Sequence, residues 1–363
     1  MQAPKIIPSS PNFSSGPTKK PDSWSLDKIN DSYLGRYHRS GSVLNYLKSI
    51  LKDLKMILNI PKEYELILTP GSCTGAMQSI IWSILGERKI TGIVYDFWGE
   101  QWSKDILSLN YEIEIRREKW GYMPLLKEIN KNDDITFVWT GTSLGMSVNN
   151  TKWISDQHDG LVISDVTSAV FMNDIDWEKI DISVFSWQKA LGSEAQHGLV
   201  VISPKAKERL KEKKKNKKKD IPKILDISNL DTLINTPSVL CISDFKLCLE
   251  WFKKKGGLSW GIQKCKENYT IIENWMLNNN NLRFFCEDKR YRSTSSSFLV
   301  PNKAIKKSKL KKIFAFLESK RIAYDINSYR KAPLGIRIWT GPTILKKDLI
   351  ALTNWLDWSF YKF

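Results

Sequence analysis

Lys189 stands in Phe185-Ser186-Trp187-Gln188-Lys189-Ala190-Leu191-Gly192, directly after an apolar, strand-like run. Asp165 closes an earlier apolar run, 24 residues upstream. Earlier still comes a turn of glycine and hydroxyl residues, Gly71-Ser72-Cys73-Thr74-Gly75-Ala76. An amine, a carboxylate and an anion cradle are together what a chain needs to hold pyridoxal phosphate. The lysine condenses with the aldehyde, the carboxylate faces the pyridine nitrogen, and the turn holds the phosphate. It is the ordered set, rather than any single member, that predicts an enzyme.

The elements that must position these residues can be read from hydrophobic runs. Six of them recur, each closed by small or polar residues: 65–69, 92–97, 135–140, 160–164, 182–186 and 199–203. A helix fits at Thr74–Gly86, with Met77, Ile80, Ile81, Ile84 and Leu85 on one face. Strands alternating with helices predict an α/β fold with a mostly parallel sheet. In such sheets ligands bind beyond the carboxyl ends of the strands. Ser72, Thr142, Asp165 and Lys189 all fall at such ends. Past about residue 245 the texture changes to amphipathic helices at 244–255, 262–277 and 305–319, with short strands expected at 298–301, 323–326 and 335–338. The expected organisation is an N-terminal arm (1–20), a large domain (21–245) and a smaller α+β domain (246–363).

Bulk composition removes several other classes. Hydrophobic residues make up 42% of the 363, enough for a full core. No apolar run reaches 18 residues, so no membrane-spanning helix is expected, and Met1–Pro21 lacks the apolar stretch of a signal peptide. Five scattered cysteines without a Cys-x-x-Cys pair, and only three histidines, predict reduced thiols in a cytoplasmic protein and no metal site. The net charge of +17 invites a nucleic-acid reading. Between Lys205 and Lys219, however, lie ten Lys/Arg against two Glu, so about half of the excess sits in one low-complexity stretch. Such runs are usually solvated helix or loop, and no nucleic-acid partner is expected.

Several stretches together resemble the phosphoserine aminotransferases, class V members of the fold-type I pyridoxal-phosphate transferases. They are Asn12-Phe13-Ser14-Ser15-Gly16-Pro17, Leu34-Gly35-Arg36-Tyr37-His38-Arg39, Ser186-Trp187-Gln188-Lys189, Ile234-Asn235-Thr236-Pro237-Ser238 and Gly335-Ile336-Arg337-Ile338-Trp339. The resemblance implies Lys189 as the residue that condenses with the cofactor and Asp165 as the partner of its ring nitrogen. It implies Ser72, Cys73 and Gln188 at the cofactor phosphate, with Asn235 and Thr236 reaching that phosphate from the neighbouring subunit of a homodimer. Trp98 matches an aromatic that stacks on the pyridine ring, against a plain core role among 15 tryptophans. Thr142 matches a hydrogen-bond donor to the phenolic oxygen. For the substrate, Arg337 would grip the α-carboxylate, and His38 and Arg39 the phosphate, with Arg330 a further candidate. His197 either touches the substrate phosphate or caps a strand. Thr140 stands where the family pattern has Asn, and Tyr37 where it has Ser.

The activity this implies is transfer of an amino group from glutamate to 3-phosphohydroxypyruvate, giving phosphoserine and 2-oxoglutarate. The pathway would be serine synthesis, with 4-phosphohydroxythreonine of pyridoxine synthesis as a possible second substrate. An alternative is another class V aminotransferase acting on alanine or serine with glyoxylate, which would leave His38 and Arg39 without a phosphate. A cysteine desulfurase would carry histidine where Gln188 stands. A basic, non-enzymatic binding protein would not need both Lys189 and Asp165.

Overall fold

The computed structural model describes residues 2–215, 220–230 and 233–363. Its centre is a seven-stranded sheet. In chain order the strands are β1 (Glu65–Pro70), β2 (Ile90–Val94), β3 (Ile113–Arg117), β4 (Asp134–Val138), β5 (Val162–Asp165), β6 (Ile182–Phe185) and β7 (His197–Ile202). Across the sheet they lie in the order β1-β7-β6-β5-β4-β2-β3. Only β7 runs against the others, pairing antiparallel with both β1 and β6. β2, β4 and β6 are buried along their whole length, which is why they read as unbroken apolar runs. The edge strand β3, Ile-Glu-Ile-Arg-Arg, is only half-buried and carries charges, so no apolar run announces it.

Helices cover the sheet. Helix α1 (Gly41–Ile57) buries Val43, Tyr46, Leu47, Ile50 and Leu54, one stripe at helical spacing. Helix α2 (Ser72–Ser83) starts two residues before the predicted helix, because Gly71 and Ser72 take positive φ of 79° and 57° and turn the chain directly off β1. Helix α3 (Phe97–Ser108) begins at Asp96, whose carboxylate accepts from Gly99 N at 2.9 Å. The basic stretch forms α4 (Pro204–Lys215), where only Ala206 and Leu210 are buried. Its cations meet carboxylates of the large domain: Arg209 pairs with the buried Asp134 at 3.1 Å, and Lys207 with Glu65 at 2.9 Å. The last part of that stretch, 216–219, lies outside the described residues.

Helix α5 (Val239–Lys254) passes through residue 245 without a break and is followed by α6 (Gly257–Leu277). The C-terminal part holds an antiparallel sheet of β8 (Leu282–Phe284), β9 (Ser296–Pro301) and β10 (Ile336–Trp339), with α7 (Lys307–Ser319) and α8 (Lys346–Lys362). The strand expected at 323–326 does not form. Tyr324 makes one isolated bridge to Asn12, and β8 supplies the third strand instead. The N-terminal segment ties the two sheets together. Trp339 N donates to Phe13 O at 3.0 Å in the small sheet, and Thr18 N donates to Gln188 O at 3.0 Å beside the lysine. Among the described residues no helix is long and apolar enough to cross a membrane.

Candidate active site

The carboxyl ends of β1, β2, β4, β5 and β6 open on one cavity, about 650 Å³ when the space open to solvent at its mouth is included. Eight of the residues singled out in the sequence line it: Ser72, Cys73, Trp98, Thr142, Asp165, Gln188, Lys189 and Arg337. They come from five strand ends of the large sheet and from β10 of the small one.

Lys189 lies in the loop after β6, and its Nζ donates to Ser15 O. Burial lowers its pKa from 10.5 to about 8, helped by the Arg337 guanidinium and opposed by the Asp165 carboxylate. An amine titrating near 8 is a usable nucleophile at neutral pH. The rate at which the cofactor-free chain captures pyridoxal phosphate should therefore rise with pH and level off above about 8. The same shift works against stability. Between about 8 and 10.5 the unfolded chain binds more protons than the folded one, so this contribution to stability improves as pH rises through that window. Lys189→Met should raise the melting temperature of the cofactor-free chain by a few degrees at pH 7, with the gain vanishing by about pH 10.5. Melting curves of the two chains over that pH range check this.

Gly16 covers the lysine. Its φ is +151°, and a Cβ there would sit 2.5 Å from Lys189 Nζ and 2.7 Å from Cε. Only glycine lets the backbone pass so close. Gly16→Ala should slow cofactor capture at least tenfold by pushing the amine out of line, since misplacing a reacting group by about 1 Å costs on the order of a hundredfold. Stopped-flow absorbance with added pyridoxal phosphate reads that rate.

Asp165 ends β5 and is 5% exposed. Its Oδ1 accepts from Thr167 N at 3.0 Å, and its Oδ2 accepts from the Trp102 indole at 3.1 Å. The Cys73 thiol beside it is pushed well above its usual pKa, first by burial and then by the Asp165 charge, so it stays protonated. The first-turn amides of Cys73 and Thr74 have no helical carbonyl four residues upstream, which leaves the start of α2 open to an anion. Trp98 stacks on Trp102 with centroids 5.4 Å apart and planes at 30°. Helix α3, which carries both, is anchored by Asp96, which also accepts from Ser143 Oγ at 3.0 Å. Burial raises the Asp96 pKa to about 6.

Arg337 is 8% exposed, and its Nε has no hydrogen-bond partner. Its guanidinium lies 5.0 Å from the Tyr329 ring centre. Thr167 Oγ1, also on the cavity wall, is likewise buried without a partner. Polar atoms are rarely left unpaired in a folded interior, so these two point to a polar ligand between them.

The remaining predicted residues do not line this cavity. Arg330 is exposed at its rim, over the rings of Phe97 (5.1 Å), Tyr329 (5.2 Å) and Trp98 (5.9 Å). His197 begins β7, is 2% exposed, and its Nε2 accepts from Ser238 N at 3.1 Å. Burial lowers its pKa, so it stays neutral and serves as an acceptor. His38 is half-buried, Arg39 and Thr236 are exposed, and Asn235 is half-buried. Arg39 Nη2 donates to Leu233 O at 3.3 Å, which joins the 36–39 turn to the 233–236 segment. Thr140 lines the cavity with its hydroxyl 3.3 Å from Ser147 Oγ, whereas Tyr37 is 65% exposed.

Sequence reasoning missed Trp102, Thr167, Tyr329 and Gly16 as wall residues. Trp102 lies four residues after Trp98 and so on the same helix face, a signal that was there to be read. Thr167, two residues after Asp165, sits where an aspartate side chain commonly accepts a backbone amide.

No protein-family model matches the chain. The phosphoserine aminotransferase of Methanosarcina mazei is 38% identical to it over 370 residues, covering 98% of each chain. A crystal structure of a phosphoserine aminotransferase from Cytophaga hutchinsonii superposes with a TM-score of 0.83 at 20% identity, covering 96% of this chain and 98% of that one. A pyridoxal-phosphate-bound phosphoserine aminotransferase from Trichomonas vaginalis gives a TM-score of 0.79 at 17% identity, covering 96% and 99%. At these identities the two structures speak for a shared fold.

Proposed function

The chain belongs to the phosphoserine aminotransferase family, and on that footing we propose that it transfers an amino group from glutamate to 3-phosphohydroxypyruvate. The products are phosphoserine and 2-oxoglutarate. Its fold is that of the fold-type I transferases, and its cofactor is pyridoxal phosphate. The observation that carries the reading is the buried Arg337, its Nε without a hydrogen-bond partner, on the wall of a cavity that already holds a depressed-pKa lysine and a carboxylate.

The residues fit the cofactor. The open start of α2 and Gln188 suit its phosphate, Asp165 its ring nitrogen, Thr142 its phenolic oxygen, Trp98 one ring face, and the unpartnered Thr167 hydroxyl a further polar group. Once bound, the cofactor offers an aldehyde to an amine and a ring that takes up the electrons of a broken Cα–H bond. Lys189 Nζ then carries the proton to and from the substrate Cα, close enough to neutral pH to do both. Arg337 holds the α-carboxylate that glutamate and phosphoserine share, so one cavity serves the two half-reactions in turn. Trp98 and Trp102 exclude water on one side.

We further propose a homodimer with shared sites. His38, Arg39, Asn235 and Thr236 lie together through the Arg39–Leu233 contact, away from this chain's own cavity. Leu34 and Tyr37, just before His38 in the chain, and Leu240, four residues after Thr236, are exposed apolar side chains of the kind an interface would cover. From there His38 and Arg39 would meet the substrate phosphate, and Asn235 and Thr236 the cofactor phosphate, of the partner's cavity. Arg330, held over three rings at the rim of its own chain's cavity, is a further candidate for the substrate phosphate there. 4-Phosphohydroxythreonine presents the same two anionic ends and is the second candidate substrate. The five unpaired cysteines suit a reducing, cytoplasmic setting.

A half-reaction tests the assignment. Phosphoserine added alone to the yellow, cofactor-loaded protein should bleach its visible band in one turnover, and 2-oxoglutarate should restore it. Bleaching by alanine or serine but not by phosphoserine would favour a glyoxylate-type aminotransferase.

A further inference from the structure

Asp165 is held by two N–H groups, one on each oxygen, and the second belongs to a side chain credited so far only with excluding water. Trp102 is 3% exposed on α3, and its indole donates to Asp165 Oδ2 at 3.1 Å while Thr167 N holds Oδ1 at 3.0 Å. The Asp165 backbone is fixed by pairing with β4, and just past the end of that strand Trp139 N donates to its carbonyl at 2.9 Å. The carboxylate itself turns about a soft terminal torsion with no sharply preferred angle. A donor on each oxygen sets its plane. The Trp102 ring also backs Trp98, whose own outer flank is bounded by Phe97 and Tyr329.

We propose that Trp102 is a positioning residue, its indole N–H fixing the plane of the Asp165 carboxylate and its ring setting the tilt of Trp98. One side chain thus aligns both protein surfaces that meet the cofactor ring, the edge at Asp165 and the face at Trp98. This rests on the proposed role of Asp165.

The test is pyridoxal-phosphate affinity of the cofactor-free chain, read by visible absorbance. Trp102→Phe keeps an aromatic ring and deletes the donor. Trp102→His removes half the ring but keeps an N–H at the same position relative to Cβ. A hydrogen bond to a charged group implies a loss of roughly tenfold or more for Trp102→Phe. Trp102→His should stay within about threefold of wild type by the same reasoning, although it leaves the larger void. A residue that merely filled space would give the reverse order, His worse than Phe, and that result overturns the proposal. Asp165→Asn separates the two levels of the argument. Wild-type affinity in that variant removes the Asp165 reading itself. Weakened affinity there, with the full Trp102→Phe loss repeated on top of it, keeps that reading and overturns the role of Trp102. Melting of each cofactor-free chain checks folding. If Trp102→Phe does not fold, Trp102→His decides alone: affinity near wild type supports the role, and a tenfold loss overturns it.

Discussion

Lys189→Ala should lose transamination by at least about 10⁴-fold and show none of the shift in visible absorbance that attachment of pyridoxal phosphate to the lysine produces. Two roles disappear together, the covalent attachment and the proton carrier, and a positioned general base alone is worth about 10²–10⁴. The fold should survive. The lysine side chain contributes one hydrogen bond, to Ser15 O, and burial disfavours its charge. Melting of the cofactor-free variant at or above the wild-type temperature would separate lost chemistry from lost structure. Turnover within tenfold of wild type would remove Lys189 from the mechanism and, with it, the reading of the cavity.

Two arginine variants should divide the substrate into its ends. Arg337→Ala is expected to lower kcat/KM about ten- to a hundredfold for glutamate and phosphoserine alike, since it removes a charged contact to the carboxylate both carry. Arg39→Ala should cost phosphoserine a similar factor and glutamate much less, because only phosphoserine ends in a phosphate. The position of Arg39 adds a sharper test. It lies outside its own chain's cavity, against Leu233 O. If it serves the partner's cavity, the inactive Lys189→Ala chain and the impaired Arg39→Ala chain should complement each other at low phosphoserine. In a random mixture half of the dimers are hybrids, and each hybrid has one complete cavity, so about a quarter of wild-type turnover should return. No recovery from verified hybrid dimers would contradict a shared site.

Much of this was legible in the amino-acid order, for definite physical reasons. Six of the seven large-sheet strands could be read because a buried, mostly parallel sheet leaves unbroken apolar runs, and the lysine and aspartate fall where those runs end. The edge strand Ile113–Arg117 was not legible, because its solvent side carries Glu114 and Arg116. The run Ala323–Ile326 misled: Ala323 and Ile326 are buried, but as connecting chain, with one isolated bridge at Tyr324 and another just beyond the run at Asn327. At the site, residues with distinctive chemistry stood out, and those acting through position did not. Gly16 matters only because the N-terminal segment folds back over Lys189, a contact across 173 residues that no local pattern announces. Tyr329 reaches the cavity from a connecting turn of the C-terminal part, again by tertiary placement alone.

The central claim is that this cavity moves an amino group to and from a phosphorylated amino acid. Glutamate formation from phosphoserine and 2-oxoglutarate, run beside the same assay with serine, tests it most directly. Charged contacts worth about 1.5–3 kcal/mol each, two of them made to the phosphate, predict kcat/KM for phosphoserine higher by roughly 10²–10⁴. Equal rates for the two amino acids, or glutamate formed from serine and none from phosphoserine, would contradict it.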